Sequence, residues 1–233
     1  MATEFRHEYK YLCDPHMLAV ERARLFSLLK PDPHTGKDGK YLIRSVYFDD
    51  MWNSSFYENE NGEDMRAKYR LRIYNCSDDY ICLERKAKLR GMTHKDAARV
   101  DRGTADKLIS GVIPAPLQEH SPMLRRMLAD MKLRLLRPAV IVQYVRTPFI
   151  LEAGNVRVTL DEQISSSQSV KRFFDPDIPQ RQVLPDGNGI LEVKWDNFLP
   201  DWLGRSLELE GLHWTTFSKY YYCRIFNTNG EKI

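Results

Sequence analysis

Apolar and polar residues alternate along most of the chain, and an alternation of period two marks strands with one buried face. The pattern opens in EFRHEYKYL. It returns in YLIRSVYFDD, KYRLRIYN, DDYICLERKAK, AVIVQYVRTPFIL, VRVTLDEQI, GILEVKWD and SLELEGL, each of which reads as a strand. KYRLRIYN and DDYICLERKAK are predicted to pair as a hairpin across NCSDD. Helices fall between them. Asp14 and Pro15 supply a cap and a first helical residue for a helix running to about Lys30, and KPDPHTGKDGK ends it with prolines and glycines. TADKLIS reads as a short capped helix, and another starts at Ser121–Pro122 and carries MLRRMLADMKLRL. No internal repeat, low-complexity tract or long linker breaks this order, which predicts a single domain over residues 1–233.

The alternation also sorts the charges by face. Arg6, Glu8 and Lys10 share one side of their strand. Lys68, Arg70 and Arg72 do the same, as do Glu84, Lys86 and Lys88, then Arg157, Thr159 and Asp161, then Glu192 and Lys194. For any single strand, an ordinary antiparallel sheet with one wet face explains this pattern. The opposite sides, Tyr69, Leu71 and Ile73 or Leu191, Val193 and Trp195, are apolar enough to be the packed sides. The charged sides could then line a closed barrel. A lining dominated by Lys and Arg must hold water and a polyanion, because an unpaired buried cation carries a large desolvation cost. Carboxylates on the same faces would suit a divalent ion, and phosphate chains meet both demands. On this reading, removing Arg70 or Arg72 relieves like-charge repulsion and leaves ligand-free stability equal or higher.

Composition narrows the classes. Hydrophobic residues make up 42% and charged residues 29% of the 233, which excludes a disordered chain. The net charge of +3 is too small for strong nonspecific nucleic-acid binding, so no nucleic-acid partner is expected. No apolar run reaches the roughly 18 residues of a membrane span, and the N-terminus lacks a signal-peptide apolar region, so a cytoplasmic location is expected. Cys13, Cys76, Cys82 and Cys223 show neither zinc-site spacing nor a disulfide framework and read as reduced and structural.

EFRHEYKYL, YLIRSVYFDD, KYRLRIYN, ICLERKAK, QYVRTPF, VRVTLDEQI, LEVKW and FSKYYYC, in that order, resemble the polyphosphate polymerase domain of the vacuolar transporter chaperone (VTC) family, within the triphosphate tunnel metalloenzymes. The resemblance covers almost the whole chain. It implies an α+β fold with an antiparallel eight-stranded β-barrel tunnel and flanking helices. The activity implied is that of a metal-dependent phosphotransferase that takes the γ-phosphoryl of ATP onto a growing polyphosphate chain, with Mn2+ or Mg2+ as cofactor. Residue by residue it carries catalytic roles to Lys10, Arg70, Arg72, Lys86, Arg146, Arg157, Lys194 and Lys219, and the metal to Glu192. Substrate contacts fall on Ser218, and also on Glu8, Lys88, Lys95 and Arg99, the loop of the last two aligning loosely. Tunnel phosphatases resemble Glu-x-Glu-x-Lys on the first strand, whereas this chain reads Arg6-x-Glu8-x-Lys10. The arginine argues for the polymerase branch over a two-metal hydrolase.

Two alternatives stay open: a tunnel triphosphatase or polyphosphatase, and a noncatalytic polyphosphate sensor. Other features point to structure. His7 and His213 read as satisfied or partly exposed, Ser165, Ser166 and Ser167 as a loop, and Trp195, Trp202 and Trp214 as packing. LRRMLADMKLRLLR is amphipathic and basic, either a solvated helix face or a contact for a membrane-protein partner. Sequence leaves the oligomeric state open.

Overall fold

The computed structural model describes residues 6–89, 92–115 and 120–228. Among these, ten strands form: β1 (His7–Cys13), β2 (Lys30–Pro31), β3 (Tyr41–Asp49), β4 (Arg66–Tyr74), β5 (Ser77–Leu89), β6 (Met92–Val100), β7 (Arg137–Leu151), β8 (Val156–Ser167), β9 (Arg181–Gln182) and β10 (Gly189–Trp195). The α-helices are α1 (Pro15–Leu28), α2 (Ser54–Glu60), α3 (Arg102–Ile109), α4 (Pro122–Leu133), α5 (Asp201–Ser206) and α6 (Lys219–Thr228). The fold is α+β with antiparallel ladders and flanking helices, as the sequence predicts. None of the helices among the described residues is long and apolar enough to cross a membrane.

Short side chains set the helix starts. Asp14 accepts from the Met17 amide at 2.8 Å, Asp101 from Thr104 at 2.8 Å and Ser121 from Leu124 at 3.3 Å, each satisfying an amide that the helix leaves orphaned. Tyr74 pairs with Ser77, so Asn75 and Cys76 alone turn the β4–β5 hairpin. Both have positive φ, 50° and 56°, the backbone that matches a two-residue turn to strand twist.

The chain divides into two compact units. The first comprises Met1–Leu42, Tyr144–Ile164 and Leu184–Phe217. Its strand order is β1-β10-β8-β7, with β2 added to β7. Leu18, Leu25, Phe149, Val158, Leu160, Leu191, Val193 and Trp195 are buried in its core. The second comprises Ile43–Gln143, Ser165–Val183 and Ser218–Ile233, with the order β7-β3-β4-β5-β6. Its core joins Tyr69, Leu71, Ile73 and Leu83 of the sheet to Leu108 of α3 and Leu124, Met127 and Leu128 of α4. The apolar faces expected of KYRLRIYN and LEVKW are therefore the packed ones.

Four readings change. SLELEGL is the end of α5, a turn, and a 3-10 turn over Leu209–Gly211. Leu203 and Leu207, one helical turn apart, are both fully buried, and Glu208 breaks the path at φ 47°. The alternation of Leu207 and Leu209 imitates a strand only because that left-handed residue lies between them. Ser165, Ser166 and Ser167 are buried strand residues completing β8, the first two paired with Gln182 and Arg181. The loop expected around Lys95 and Arg99 is β6, held by its ladder to β5 although it has few branched or aromatic residues. Trp195 is packed as expected, but Trp202 and Trp214 are exposed.

Gly154 shows where a turn constrains the sequence. Its φ is 72°, its carbonyl accepts from the Asp196 amide at 3.1 Å, and a Cβ there would run into the Phe198 carbonyl. Gly154→Ala is expected to lower stability by about 1–3 kcal/mol, measurable as a reduced urea midpoint at unchanged slope. An unchanged midpoint would show that the turn relaxes freely.

Candidate phosphate-binding faces

In the second unit the ladders place Tyr47 opposite Arg70 and Arg70 opposite Glu84. Ser45 lies opposite Arg72, and Lys68 opposite Lys86. Lys86 in turn faces Lys95, Cys82 faces Arg99, and Lys88 lies between Arg66 and Thr93. Directly opposed residues share a face, so Arg66, Lys68, Arg70, Arg72, Lys86, Lys88, Lys95 and Arg99 come together on one side of β4, β5 and β6. The other side carries the core.

Glu84 organises that side. Its carboxylate takes Arg70 Nε at 2.6 Å, Lys95 Nζ at 3.1 Å and, at 3.7 Å, Arg72 Nη1, while its side chain is 3% exposed. Burial pushes the carboxyl up, but Arg70, Arg72 and Lys95 outweigh it and hold the group well below the usual carboxylate range. Arg70 also donates from Nη1 to the Tyr47 hydroxyl at 2.8 Å, and Arg72 donates from Nε to Ser45 Oγ at 3.3 Å. Arg99 gives Nη2 to the Asp79 carbonyl at 2.7 Å.

The C-terminal helix adds to this unit. Ser218 stands at its start, the carbonyl accepting from Tyr222 at 3.0 Å and the hydroxyl from Tyr221 at 3.4 Å. Lys219 is the first helical residue. The next side chain, Tyr220, is 2% exposed and donates to Asp49, whose carboxylate also takes the Ser55 and Phe56 amides at 2.9 and 3.2 Å. Asp49 thus ties α6 to the first turn of α2. Lys68 Nζ sits 4.7 Å over the Tyr220 ring, which also packs against Tyr47 at 5.1 Å.

In the first unit the shared side alternates in sign. Glu8 lies opposite Lys194 and Lys194 opposite Arg157, while Lys10 lies opposite Glu192 and Glu192 opposite Thr159. Lys10 Nζ is 2.9 Å from Glu8 and donates to the Phe217 carbonyl at 3.1 Å. Lys194 pairs with Glu192, and Arg146 Nη2 reaches the same carboxylate at 3.8 Å. The Arg146 fork is filled chiefly by Asp161, at 2.6 and 2.7 Å. Burial lowers the tendency of Arg146 to stay charged, but Asp161 more than restores it. Arg157 reaches Asp32 at 2.8 Å and the Tyr41 hydroxyl at 2.9 Å. Arg6 turns to Asp196 at 2.5 Å and to the Asn155 carbonyl.

The predicted site residues on strands thus fall into two sets, one in each unit, while Ser218 and Lys219 open α6 of the second. Sequence reasoning missed Tyr47, Asp32 and the positioning group Tyr220, and it counted Glu84, Thr159 and Asp161 as face residues without a role. Period two carried the signal for those three. Nothing local marks Asp32, since its partner Arg157 is distant in the chain.

No group of three or more His, Cys, Asp or Glu side chains that could hold a metal occurs among the described residues. Glu192 still offers a place for one ion. It is 4% exposed, and the Thr159 hydroxyl opposite it is buried without a hydrogen-bond partner among the described residues. A carboxylate and an orphaned hydroxyl are hard oxygen donors, and they fit Mg2+ or Mn2+ whose other ligands are phosphate and water.

Comparison with known proteins agrees with the fold. The VTC domain family model matches residues 5–225. No curated protein matches the sequence. Among solved structures, an adenylyl cyclase candidate from Hippeastrum, described as having a dominant triphosphatase activity, is similar with TM-score 0.59 and 15% identity, covering 96% of each chain. A protein of Pyrococcus horikoshii has TM-score 0.50 and 10% identity over 96% of this chain and 99% of its own. A candidate adenylate cyclase from Bacillus halodurans has TM-score 0.50 and 13% identity, covering 90% and 89%.

Proposed function

Because the chain belongs to the VTC domain family, we propose that it works as one functional domain, an ATP-dependent polyphosphate polymerase. The observation that carries this reading is the register of β4, β5 and β6, which gathers eight Arg and Lys side chains on one face around a single buried carboxylate. The first strand supports the polymerase branch, since Arg6 is engaged with Asp196 and the Asn155 carbonyl and supplies no second carboxylate beside Glu8.

Phosphoryl transfer asks the protein mainly to position reactants and compensate charge. A terminal oxygen of the growing polyphosphate attacks the γ-phosphorus of ATP. The bond to the β-phosphate oxygen breaks and ADP leaves, so no protein nucleophile is required. Arg70, Arg72 and Arg157 offer donors matched to phosphate oxygens, while Arg146, whose fork Asp161 fills, adds fixed positive charge and Lys10, Lys86, Lys194 and Lys219 act as point charges. Lys88, Lys95, Arg99, Ser218 and Glu8 complete the contacts to substrate. Glu192 and Thr159 would hold Mn2+ or Mg2+, which when bound neutralises charge on phosphate oxygens. Cytoplasmic ATP and polyphosphate are the substrates, and a membrane-protein partner is reserved for the exposed basic residues of α4.

Purified protein with ATP and Mn2+ tests the reading. Long chains with ADP support it. ADP with orthophosphate and no chains makes the protein a triphosphatase, and binding without turnover makes it a sensor.

Binding itself gives a prediction. A ligand taken up only by the folded protein raises stability by about 2.7 kcal/mol at a hundredfold excess over Kd. Tripolyphosphate should therefore raise the melting temperature clearly, and added salt should shrink the effect. Equal protection by AMP would defeat the phosphate-face reading.

A further inference from the structure

Tyr47 lies within the cationic face of the second unit. It is directly opposite Arg70 in the β3–β4 ladder and 9% exposed. Its hydroxyl oxygen accepts from Arg70 Nη1 at 2.8 Å. A phenol has one proton to donate as well as lone pairs to receive, and no acceptor for that proton occurs among the described residues. Other buried tyrosines of the unit differ: Tyr69 donates to Asp130 at 2.7 Å, and Tyr220 donates to Asp49.

The surroundings fix where the unspent proton can go. The Tyr47 ring is packed on Tyr220, which Asp49 pins in place, so the phenol has little freedom to turn elsewhere. Arg70 and Arg72 of β4 and Lys86 of β5 act on it electrostatically. Glu84, the carboxylate of this face, is already taken by Arg70, Arg72 and Lys95. A donor held in a cluster of cations calls for an anionic acceptor from outside the protein.

Resting on the phosphate-binding reading above, we propose that Tyr47 touches the substrate directly, its phenolic O–H donating a hydrogen bond to a phosphate oxygen of bound triphosphate or polyphosphate. The guanidinium of Arg70 then has two tasks, one toward phosphate and one in orienting the phenol. The electrostatic surroundings act in the same sense. Burial pushes the phenol up, but Arg70 and Arg72, followed by Lys86, outweigh it and bring the group below the usual tyrosine value. Free protein should lose this donor as pH rises through the lowered value. Bound phosphate, which needs the proton in place, should move that titration back up.

Two measurements test the proposal. Calorimetric titration of tripolyphosphate into wild type and Tyr47→Phe, without metal, should show binding about tenfold weaker in the variant, the size of a hydrogen bond to a charged group. The melting temperature of the ligand-free variant should stay close to wild type. Equal affinity in the two proteins overturns the role of Tyr47 while leaving the phosphate face intact, whereas no binding by folded wild type removes both. If Tyr47→Phe does not fold, the wild type alone decides the matter. Its earliest-titrating phenol, followed by phenolate absorbance, should shift to higher pH on adding tripolyphosphate, and an unchanged titration under saturating ligand counts against the contact.

Discussion

Glu84→Gln is expected to destabilise the ligand-free protein by about 3 kcal/mol, because removing one member of a buried ionic group strands the others. The carboxylate is 3% exposed and sits against Arg70 and Arg72. Lys95, half exposed, contributes little. Tripolyphosphate should protect this variant more than it protects wild type, since ligand charge then replaces what the substitution removed. The pH dependence has a definite sign. A carboxyl whose folded-state titration is depressed contributes stability above its unfolded value, near 4.3 for glutamate, and loses it as pH falls from there toward the folded value. Urea midpoints of wild type should therefore fall below about pH 4 more steeply than those of Glu84→Gln. Parallel pH curves would show that Glu84 carries no linkage. This geometry also corrects the expectation that losing Arg70 relieves repulsion. Arg70 is compensated by Glu84, so Arg70→Ala removes a partner as well as a cation.

The second large effect belongs to Glu192→Gln, which keeps shape and removes charge. If Glu192 holds the metal as proposed, the substitution is expected to cut the rate by orders of magnitude and raise the Mn2+ concentration for half-maximal rate. Metal-free tripolyphosphate binding should be unchanged or tighter, since one repelling charge has gone. Rate against Mn2+ for both proteins, with metal-free calorimetry, checks each part. An unchanged Mn2+ dependence would leave Glu192 as the partner of Lys194 and Arg146 and direct attention to Glu8. Glu210, the other carboxylate to which the metal could be reassigned, is poorly placed for the task. It lies with Tyr9, Trp195 and Trp214 around a groove of about 650 Å³, and Tyr9 points to the side of β1 opposite Glu8 and Lys10.

Much of this was legible in the sequence, because a strand's two faces are written in its alternation. KYRLRIYN showed both its core side and its cationic side, and Asp14–Pro15 marked the start of α1 correctly. What alternation cannot show is which carboxylate answers which cation. Arg146 with Asp161 and Arg157 with Asp32 depend on register and on a loop, and they emerge only once strands are paired. Periodicity also misled where a left-handed residue, Glu208, gave a helix end the spacing of a strand. The strand β6 was hidden for the opposite reason: MTHKDAARV has little intrinsic strand preference and takes its conformation from β5. Tyr47 was hidden among apolar neighbours, its role visible only from the destination of one proton.

The two ladders place different demands on a chain made from its N-terminus. The strands β4, β5 and β6 follow one another and join by short connections, so they can pair soon after synthesis, when loop closure is cheap. The β1 strand pairs with β10, joining His7 to Trp195 across most of the sequence. During translation at roughly 5–20 residues per second, β1 therefore waits many seconds with the edge that β10 will cover unpaired. It carries Glu8 and Lys10 through that interval, and charges on a waiting edge oppose pairing with the wrong chain. The charges read above as groups for phosphate thus also guard the nascent strand.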